Sequence, residues 1–436
     1  MKKIGFWSVT SLVVGSQIGS GILLLPASLA PFGAIGLASW GITATGALCL
    51  ALIFARLCAA NPKPGGPHTY VEAAFGRTTA FYAAWTYWVI SWMSSAAVLI
   101  AIVGYLSPLL GVMDPLTNVF LEIAVLLFIT LLNLMGVHSA GRVEFFFTLL
   151  KIVPLLVIPC VGLWHLHPEH FTPFNPTMQT PLSALNAAAL LTLWGFIGLE
   201  SATTPTESVF NPSKTIPRAI VVGTSIVALV NIVNSFVMMG IMPMDALAHA
   251  KAPFAMAAGL LFGGNWSLII SVIAAIICLG TLNAWVLTSG QIALGAAYDQ
   301  HFPKFFLRKN QRGAPVWSLM ISSLGVIPLL ILTMDADLIN QVNAVIDISV
   351  TAFLFVYLLC VLSYFKIFLS KRSFLNDKKG CIVGVTALVF CVWALWSSGF
   401  KMVSLAGLIT LSGVPIYYWQ KRSAVSLKNS NKDSKQ

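Results

Sequence analysis

The sequence predicts an all-α membrane protein with twelve transmembrane helices, and three observations lead to this class. Of its 436 residues, 58% are hydrophobic and 9% are charged, whereas an ordinary soluble domain carries about 25% charged residues. Apolar stretches long enough to cross a bilayer recur from near the N-terminus to about residue 420. The net charge of +11 comes from Lys and Arg residues clustered between these stretches. Such clusters are typical of topology signals, so we expect a lipid bilayer and no nucleic acid as the partner.

The predicted spans cover most of the chain. Lys2 and Lys3 precede an apolar run that continues past any small-residue cleavage site, which indicates a retained first span and not a removed signal peptide. If the N-terminus is cytoplasmic, the cytoplasmic side holds all of the 25 Lys and Arg residues except Lys151, Lys251 and Lys401. The positive-inside rule therefore places both termini in the cytoplasm. The spans lie at 5–30, 34–58, 78–110, 116–137, 143–164, 182–208, 217–243, 265–298, 315–334, 338–367, 380–398 and 402–420.

Two of the spans are interrupted by small residues. The first contains the sequence GSQIGSG at 15–21, followed by Pro26, and the sixth contains WGFIGLE at 194–200. Glycine inside a helix costs about 1 kcal/mol relative to alanine. Backbone groups freed within hydrocarbon must find partners in protein or in a water-filled cavity. Each interruption therefore predicts a cavity, although glycines that only allow helices to pack closely would look similar.

The interrupted spans occupy matching positions. Span one begins a first group of five spans (1–164), and span six begins a second group of five (182–367). Because each group has an odd number of spans, the second group enters the membrane from the opposite side, which produces an inverted repeat. Paired broken helices in inverted halves indicate the central site of a transporter. We predict one transporter domain over 1–420, with spans eleven and twelve at 380–420 and a polar cytoplasmic tail at 421–436.

The two interruptions suit the two ends of an amino acid. A helix that starts at 19–21 would direct backbone N–H groups and the positive end of its dipole at a carboxylate. The break in span six would free the carbonyls of Trp194 and Ile197 to accept hydrogen bonds from an α-ammonium group. Together these segments predict a site for a zwitterion, although small-residue breaks also line ion pathways.

Aromatic and ionisable residues add candidate contacts near the middle of the membrane. Aromatic rings lie in four different spans and could enclose a cationic head group, although core packing explains any one of them equally well; they are Tyr87, Trp194, Trp285 and Tyr357. Three ionisable residues are predicted at membrane depth, where a charge costs at least about 2.5 kcal/mol; they are Lys151, Glu200 and Asp347.

Two of these ionisable residues have specific predicted roles. Glu200 directly follows the break in span six, so its protonation could be coupled to gating. Lys151 could provide a fixed or protonatable cation in place of a coupling Na⁺. Alternatively, Lys151 is a snorkelling lysine paired with a carbonyl or with Asp347.

The motifs together resemble the amino acid–polyamine–organocation superfamily, most closely its bacterial arginine/agmatine antiporter and related basic amino-acid and polyamine antiporters. The resemblance extends over nearly the whole chain, and the combination of the span-one and span-six sequences is its most specific part. The matching segments are Gly19-Ser20-Gly21 with Leu24-Leu25-Pro26, Pro64-Gly65-Gly66, Tyr87-Trp88, LWGFIGLESA at 193–202, Asn211-Pro212, 282–285 and Gly290-Gln291.

The resemblance implies the leucine-transporter-type fold, with spans 1–5 and 6–10 as a 5+5 inverted repeat and two peripheral helices. It also implies roles for individual residues. Ser20 and Gly21 would hold the substrate carboxylate, and carbonyls near Ile18, Trp194 and Ile197 would hold the amino group. Trp285 would stack on the head group, and Glu200 with Tyr87 would form a gate. The remaining substrate contacts would be Ser95, Ser349 and Tyr357.

Several positions depart from the arginine/agmatine antiporter. That protein carries asparagine, cysteine, asparagine and methionine at the positions of Ser16, Ser91, Ser95 and Val98, so the resemblance does not determine how the head group is recognised. Lys151 is absent from it but resembles the span-five lysine of proton-coupled amino-acid transporters in the same superfamily.

Two further features involve histidine. His68 replaces a usual tyrosine and could sense cytoplasmic acidification; an ordinary exposed loop histidine is the alternative. The segment 165–170, with sequence HLHPEH, matches no pattern of the family. Its three histidines and one glutamate could bind Zn²⁺ or Cu²⁺, but a proline within the segment disfavours their alignment, so we predict no metal site and no cofactor.

The sequence therefore predicts a transporter and not an enzyme, since neither HExxH nor GxSxG occurs. We expect a bacterial inner-membrane protein that exchanges a cationic amino acid such as arginine for its decarboxylated amine, agmatine, by alternating access. Together with a decarboxylase that consumes a proton, this exchange would provide acid resistance. The alternative is a proton-coupled amino-acid symporter that uses Lys151. The resemblance also suggests a homodimer.

Overall fold

The computed structural model describes residues 4–63, 66–111, 114–135, 151, 154–203, 206, 209–334, 338–369 and 377–421. Within these ranges the regular secondary structure is helical, and the only β pairings are two isolated bridges, Ile4 with Val209 and Lys309 with Pro315. The prediction of an all-α membrane protein is confirmed. Several predicted features lie outside the described residues, namely Lys2, Lys3, Pro64, Gly65, positions 143–150 of span five and the tail beyond Lys421.

The helices follow the predicted spans closely. The first half of the chain contains α1 (Phe6–Gln17), α2 (Ser20–Leu29), α3 (Ala34–Ala60), α4 (Pro67–Phe75), α5 (Arg77–Leu110), α6 (Pro115–Leu134) and α7 (Pro154–His165). The second half contains α8 (Pro181–Trp194), α9 (Pro212–Ile241), α10 (Met244–Ala248), α11 (Pro253–Phe262), α12 (Trp266–Tyr298), α13 (Val316–Thr333), α14 (Leu338–Leu369), α15 (Lys378–Ser397) and α16 (Gly399–Leu411).

Nine helices of the described chain are long and apolar enough to cross a membrane, and the bent pair α1–α2 makes a tenth. The other two predicted spans correspond to shorter apolar helices. Span five is represented by α7, and span six is represented by α8 and the turns that follow it. The total of twelve therefore stays a prediction.

The helices pack around α5. Of the most apolar 18 residues of α5, 89% are buried. Of the most apolar 18 residues of the last span, Gly399–Lys421, only 11% are buried. Helix α5 contacts α12 and α14, while α3 contacts α8 and α9, and α1 lies against α9. The last span is therefore peripheral, and the broken helices lie within the bundle.

The two ends of the bundle differ in charge. At one end, called here the basic face, Arg77 at the start of α5 donates to the carbonyl of Gln300 beyond the end of α12 at 3.4 Å. Arg56 and Lys63 lie at the same end of the bundle. At the other end, called the opposite face, α10 and α11 cover the bundle.

Polar side chains define where several helices begin. Asp114 accepts hydrogen bonds from the backbone N and the hydroxyl of Thr117 at 3.1 and 2.6 Å, which caps α6. Thr180 accepts from the backbone N of Ser183 at 3.3 Å and caps α8, the helix that leads into the second break.

Candidate functional site

The first predicted break is present between α1 and α2. Helix α1 ends at Gln17, α2 begins at Ser20, and the two axes meet at 42°. Ile18 is extended, with φ −80° and ψ 102°, and Gly19 precedes α2 without any side-chain cap. The first backbone N–H groups of α2 therefore lack the partners that a continuous helix would supply, and they are available to an anion.

Glycine is required at this break because other parts of the chain approach the backbone closely. A Cβ atom on Gly21 would lie 2.8 Å from Cδ1 and 3.2 Å from Nε1 of Trp194. A Cβ atom on Gly19 would lie 2.5 Å from Cγ2 of Thr281, on α12. Trp194 is thereby brought against the start of α2.

The second predicted break is present after α8. That helix ends at Trp194, and residues 195–200 form successive turns before a short 3₁₀ helix at Ser201–Thr203. Gly198 has a φ of +102°, a conformation that side-chain-bearing residues rarely adopt. The carbonyl of Trp194 accepts from the N–H of Ile197 at 3.2 Å, so it has one lone pair left. No donor among the described residues bonds the carbonyl of Ile197.

A serine connects the two breaks. The hydroxyl of Ser16 lies 3.0 Å from the carbonyl oxygen of Gly198 and 2.8 Å from the hydroxyl of Ser201. A Cβ atom on Gly198 would lie 3.2 Å from the carbonyl of Ser16. The sequence singled out Ser16 only as a departure from the arginine/agmatine antiporter. Its role as a link between the breaks could not be read from the sequence.

Glu200 is completely buried, with 0% exposure, and both of its carboxylate oxygens accept hydrogen bonds. Tyr87 donates to Oε1 at 2.9 Å and Tyr357 donates to Oε2 at 2.6 Å. Contact between Glu200 and Tyr87 was expected, whereas Tyr357 was expected only beside the substrate. No Lys, Arg or His of the described ranges lies within ion-pair distance of this carboxylate.

Phe353 joins the aromatic residues into one cluster. Its ring centroid lies 5.9 Å from that of Tyr87, 6.2 Å from that of Trp285 and 6.0 Å from that of Tyr357. Sequence reasoning missed Phe353. The available signal was its position four residues before Tyr357, which places both rings on one face of α14.

The predicted substrate residues are all buried, and two of them have unsatisfied hydroxyl groups. Ser95 and Ser349 bury their Oγ atoms without a hydrogen-bond partner in the described structure. Buried polar atoms are nearly always bonded, so an orphan requires an explanation. A bound ligand would provide it. The buried residues are Ile18, Ser20, Gly21, Ser95, Trp194, Ile197, Trp285, Ser349 and Tyr357.

Lys151 contacts the first broken helix. Its side chain is 2% exposed, and its Nζ donates to the carbonyl of Gly15 at 3.2 Å. This contact agrees with pairing to a carbonyl, one of the two alternatives given above. The lysine therefore lies against the end of α1. Asp347 lines a separate cavity at the opposite face.

At the basic face, two histidines form a cluster with two carboxylates. Nε2 of His68 lies 3.0 Å from Asp299, Nε2 of His301 lies 3.1 Å from Glu72, and the two imidazole centroids are 5.8 Å apart. His68 is 1% exposed, so the alternative of an ordinary exposed loop histidine is wrong. These four residues, called here the basic-face cluster, tie α4 to the end of α12.

The basic-face cluster changes two pKa values in defined directions. Burial lowers the pKa of His301 most strongly, despite its hydrogen bond to Glu72. The hydrogen bond from His68 is the main cause that lowers the pKa of Asp299, with a further contribution from Lys63. Near neutral pH we therefore expect an uncharged His301 and an ionised Asp299.

The histidines of 165–170 do not converge on one point. Nδ1 of His165 lies 3.2 Å from the carbonyl of Val161, and Nδ1 of His170 lies 2.9 Å from that of Gly240. His167 lies 3.2 Å from Glu169. Nowhere in the described ranges do three His, Cys, Asp or Glu side chains form a group that could hold a metal ion.

Comparison with known proteins places these features in a family context. A family model described as amino acid permease matches residues 4–419. The putrescine transporter PotE of Haemophilus influenzae is 30% identical over 419 residues, which cover 95% of this chain and 96% of that protein. PotE of Escherichia coli K12 is 30% identical over 420 residues, 95% of each chain. The cadaverine/lysine antiporter of Escherichia coli K12 is 32% identical over 440 residues, 97% of this chain and 95% of that protein.

Proposed function

The chain belongs to the amino acid permease family, within the amino acid–polyamine–organocation superfamily, and we propose that it exchanges a cationic amino acid for its decarboxylated amine. Because this family consists of transporters, the chain is a multi-pass membrane transporter and not an enzyme. Its relatives include putrescine transporters and a cadaverine/lysine antiporter. The substrate pair and the roles of the individual residues are our proposals.

One observation carries the proposal: the two helix breaks face each other and are held in contact. Gly21 lies against Trp194, and Ser16 bonds the carbonyl of Gly198. The unpaired N–H groups at the start of α2 would receive the substrate carboxylate. The carbonyls near Ile18 and Ile197 would receive the α-ammonium group. We propose that one small zwitterion contacts both breaks at once.

The region around Glu200 suits a cationic head group. Its buried carboxylate accepts two phenol hydrogen bonds but faces no cationic side chain of the described structure. A charge at this depth is costly unless it is paired. A cationic substrate would supply the missing charge, while Trp285 would offer a ring face to it and the hydroxyls of Ser95 and Ser349 would bond its polar atoms.

Alternating access would convert this site into an exchanger. We propose that the basic face is cytoplasmic in a bacterial inner membrane, as the distribution of Lys and Arg indicates, and that both termini lie on that side. Glu200 and Tyr87 would gate the site from within the bundle, and the basic-face cluster would hold the cytoplasmic end closed. The arginine and agmatine pair stays our first expectation. The names of the relatives add putrescine and the pair of lysine and cadaverine.

Counterflow tests the proposal. Proteoliposomes loaded with agmatine, cadaverine, putrescine or alanine, or left empty, are given labelled arginine or lysine outside. We expect lumenal amine to accelerate entry of the matching amino acid at least tenfold over empty vesicles, whereas alanine should not. Equal uptake into loaded and empty vesicles would contradict exchange.

The alternative function is proton-coupled symport, which the burial of Lys151 against the broken helix favours. Its hydrogen bond to the carbonyl of Gly15 agrees equally with a snorkelling lysine. A cation at the end of the broken helix could bind and release a proton during transport. Uptake into empty vesicles driven by an inward proton gradient, and lost in Lys151→Ala, would support it. Exchange that persists in Lys151→Ala without a gradient would exclude it. The homodimer stays a prediction, which mass measurement in detergent would check.

A further inference from the structure

A polar cavity lies at the opposite face, apart from the two breaks. It has a volume of about 460 Å³ and is bounded by the turn after α2 and by α8, α14 and α15. The lining residues that matter here are Phe32, Asn186, Asn343, Asp347, Trp396 and Ser397. The described residues that form the wall include no Lys, Arg or His. The transport site described above does not use any of these residues.

Asp347 is the charged group of this cavity. It lies in the first third of α14, and no described residue forms a hydrogen bond or ion pair with its carboxylate. The hydroxyl of Thr351 is four residues away, but it donates at 2.7 Å to the backbone carbonyl of Asp347 and not to its side chain. A carboxylate within the membrane span normally acquires a partner. This one lines the cavity.

The rest of the wall is rich in hydrogen-bond acceptors. Oδ1 of Asn186 and Oγ of Ser397 are buried without partners in the described structure. Oδ1 of Asn343 accepts from Ser28 at 2.8 Å, which orients that amide and connects the cavity to α2. Trp396, at the end of α15, is 85% exposed and presents an indole ring beside the cavity. Acceptors, a carboxylate and an aromatic ring together suit a donor-rich cation.

We propose that this cavity binds a primary ammonium group through Asp347 and serves as a first binding site for cationic substrate arriving at the opposite face. An ammonium group carries three donors and one positive charge. It would pair with the carboxylate and could also bond the unsatisfied oxygens of Asn186 and Ser397 after small rotations. The substrate as the source of the ammonium rests on the proposed exchange function. The ammonium of a phosphatidylethanolamine headgroup has the same chemistry.

Binding is tested with butylamine on the purified protein in detergent, because butylamine offers an ammonium group without a carboxylate. Thermal unfolding is measured with and without butylamine. We expect stabilisation of the wild type and of Asp347→Glu, and loss of at least about tenfold in apparent affinity in Asp347→Asn. The control is Asp245→Asn, since Asp245 lies at the same face with a side chain that is 98% exposed. Equal shifts in wild type and Asp347→Asn, or no shift in either, would overturn the proposal.

Transport distinguishes the source of the ammonium. The first measurement uses vesicles that lack phosphatidylethanolamine. In Asp347→Asn, the KM for external putrescine should rise about tenfold while the maximal rate stays unchanged. The control Asp245→Asn should keep the wild-type KM. The same rise of KM in vesicles that contain this lipid assigns the cavity to substrate, whereas loss of the rise in those vesicles assigns the cavity to the lipid headgroup.

If butylamine binds through Asp347 while counterflow fails with every cation, the exchange function is wrong and the ammonium site stands. If counterflow succeeds and Asp347→Asn binds butylamine normally, the ammonium site is wrong.

Discussion

Replacing Gly21 by alanine tests whether the close contact between the two breaks is needed for transport. The added methyl group would lie 2.8 Å from Cδ1 of Trp194, whereas carbon atoms pack best at about 3.5–4.0 Å. Either Trp194 moves or α2 shifts. Overpacking of this kind costs about 1–3 kcal/mol, and the helix propensity of alanine returns at most about 1 kcal/mol.

The consequence for function is larger than the consequence for folding. The methyl group would displace the indole of Trp194 or the start of α2, and we place the substrate carboxylate beside that contact, at the N–H groups of α2. We expect counterflow by Gly21→Ala to fall at least tenfold, while its thermal unfolding midpoint changes by only a few degrees. The assay is exchange of labelled substrate in loaded proteoliposomes at matched protein density.

Gly41→Ala is the matched control, because a Cβ atom on Gly41, within α3, would meet nothing within 4 Å. It should transport normally and unfold at the same temperature or slightly higher. A second variant, Gly21→Ala with Trp194→Phe, removes part of the indole and should recover some exchange if the clash is the cause. Wild-type exchange by Gly21→Ala would refute the reasoning, because the two breaks would then not bind substrate between them.

Three further predictions follow from the site. Glu200→Gln removes the charge and can still bond both phenols, accepting from one and donating to the other. The KM for cationic substrates should therefore rise about tenfold or more and the pH dependence of exchange should flatten; an unchanged KM and pH profile would remove Glu200 from the site. Trp285→Leu should abolish uptake of cationic substrate in proteoliposomes, and normal rates would show that Trp285 does not contact substrate. Because burial lowers the pKa of His301, the closed basic-face cluster is fully stable above the ordinary histidine pKa of about 6.5 and weakens as the pH falls below it. Acidifying the basic face from about pH 7.5 to 5.5 should therefore speed exchange in the wild type but not in His301→Gln, and identical pH profiles would contradict the sign.

Much of this architecture could be predicted because it depends on local sequence. The length of the apolar runs predicts the spans, and the glycines that interrupt two of them predict the breaks. The structure shows why glycine is needed there, with a close neighbour at Gly21 and a positive φ at Gly198. The contact between Glu200 and Tyr87 came from a family resemblance. Local periodicity alone would not have paired two residues that lie 113 positions apart.

The features that sequence reasoning missed all join distant segments. Ser16 and Gly198 are 182 positions apart, and Tyr357 reaches Glu200 across 157 positions. The pairing of His301 with Glu72 spans 229 positions. Each requires the packing of whole helices, which no window of the sequence contains. The sequence around His68 allows an exposed loop as one alternative. It does not show the burial of this residue, because the end of α12, far along the chain, provides the contact.

The most direct test of the central claim is an experimental structure of the protein bound to a cationic amino acid that it transports. We predict that the substrate carboxylate lies within hydrogen-bond distance of the N–H groups at the start of α2, and its α-ammonium near the carbonyl of Ile197. Its head group should lie beside Trp285 and Glu200. Substrate bound elsewhere, with both helix breaks unoccupied, would contradict the account.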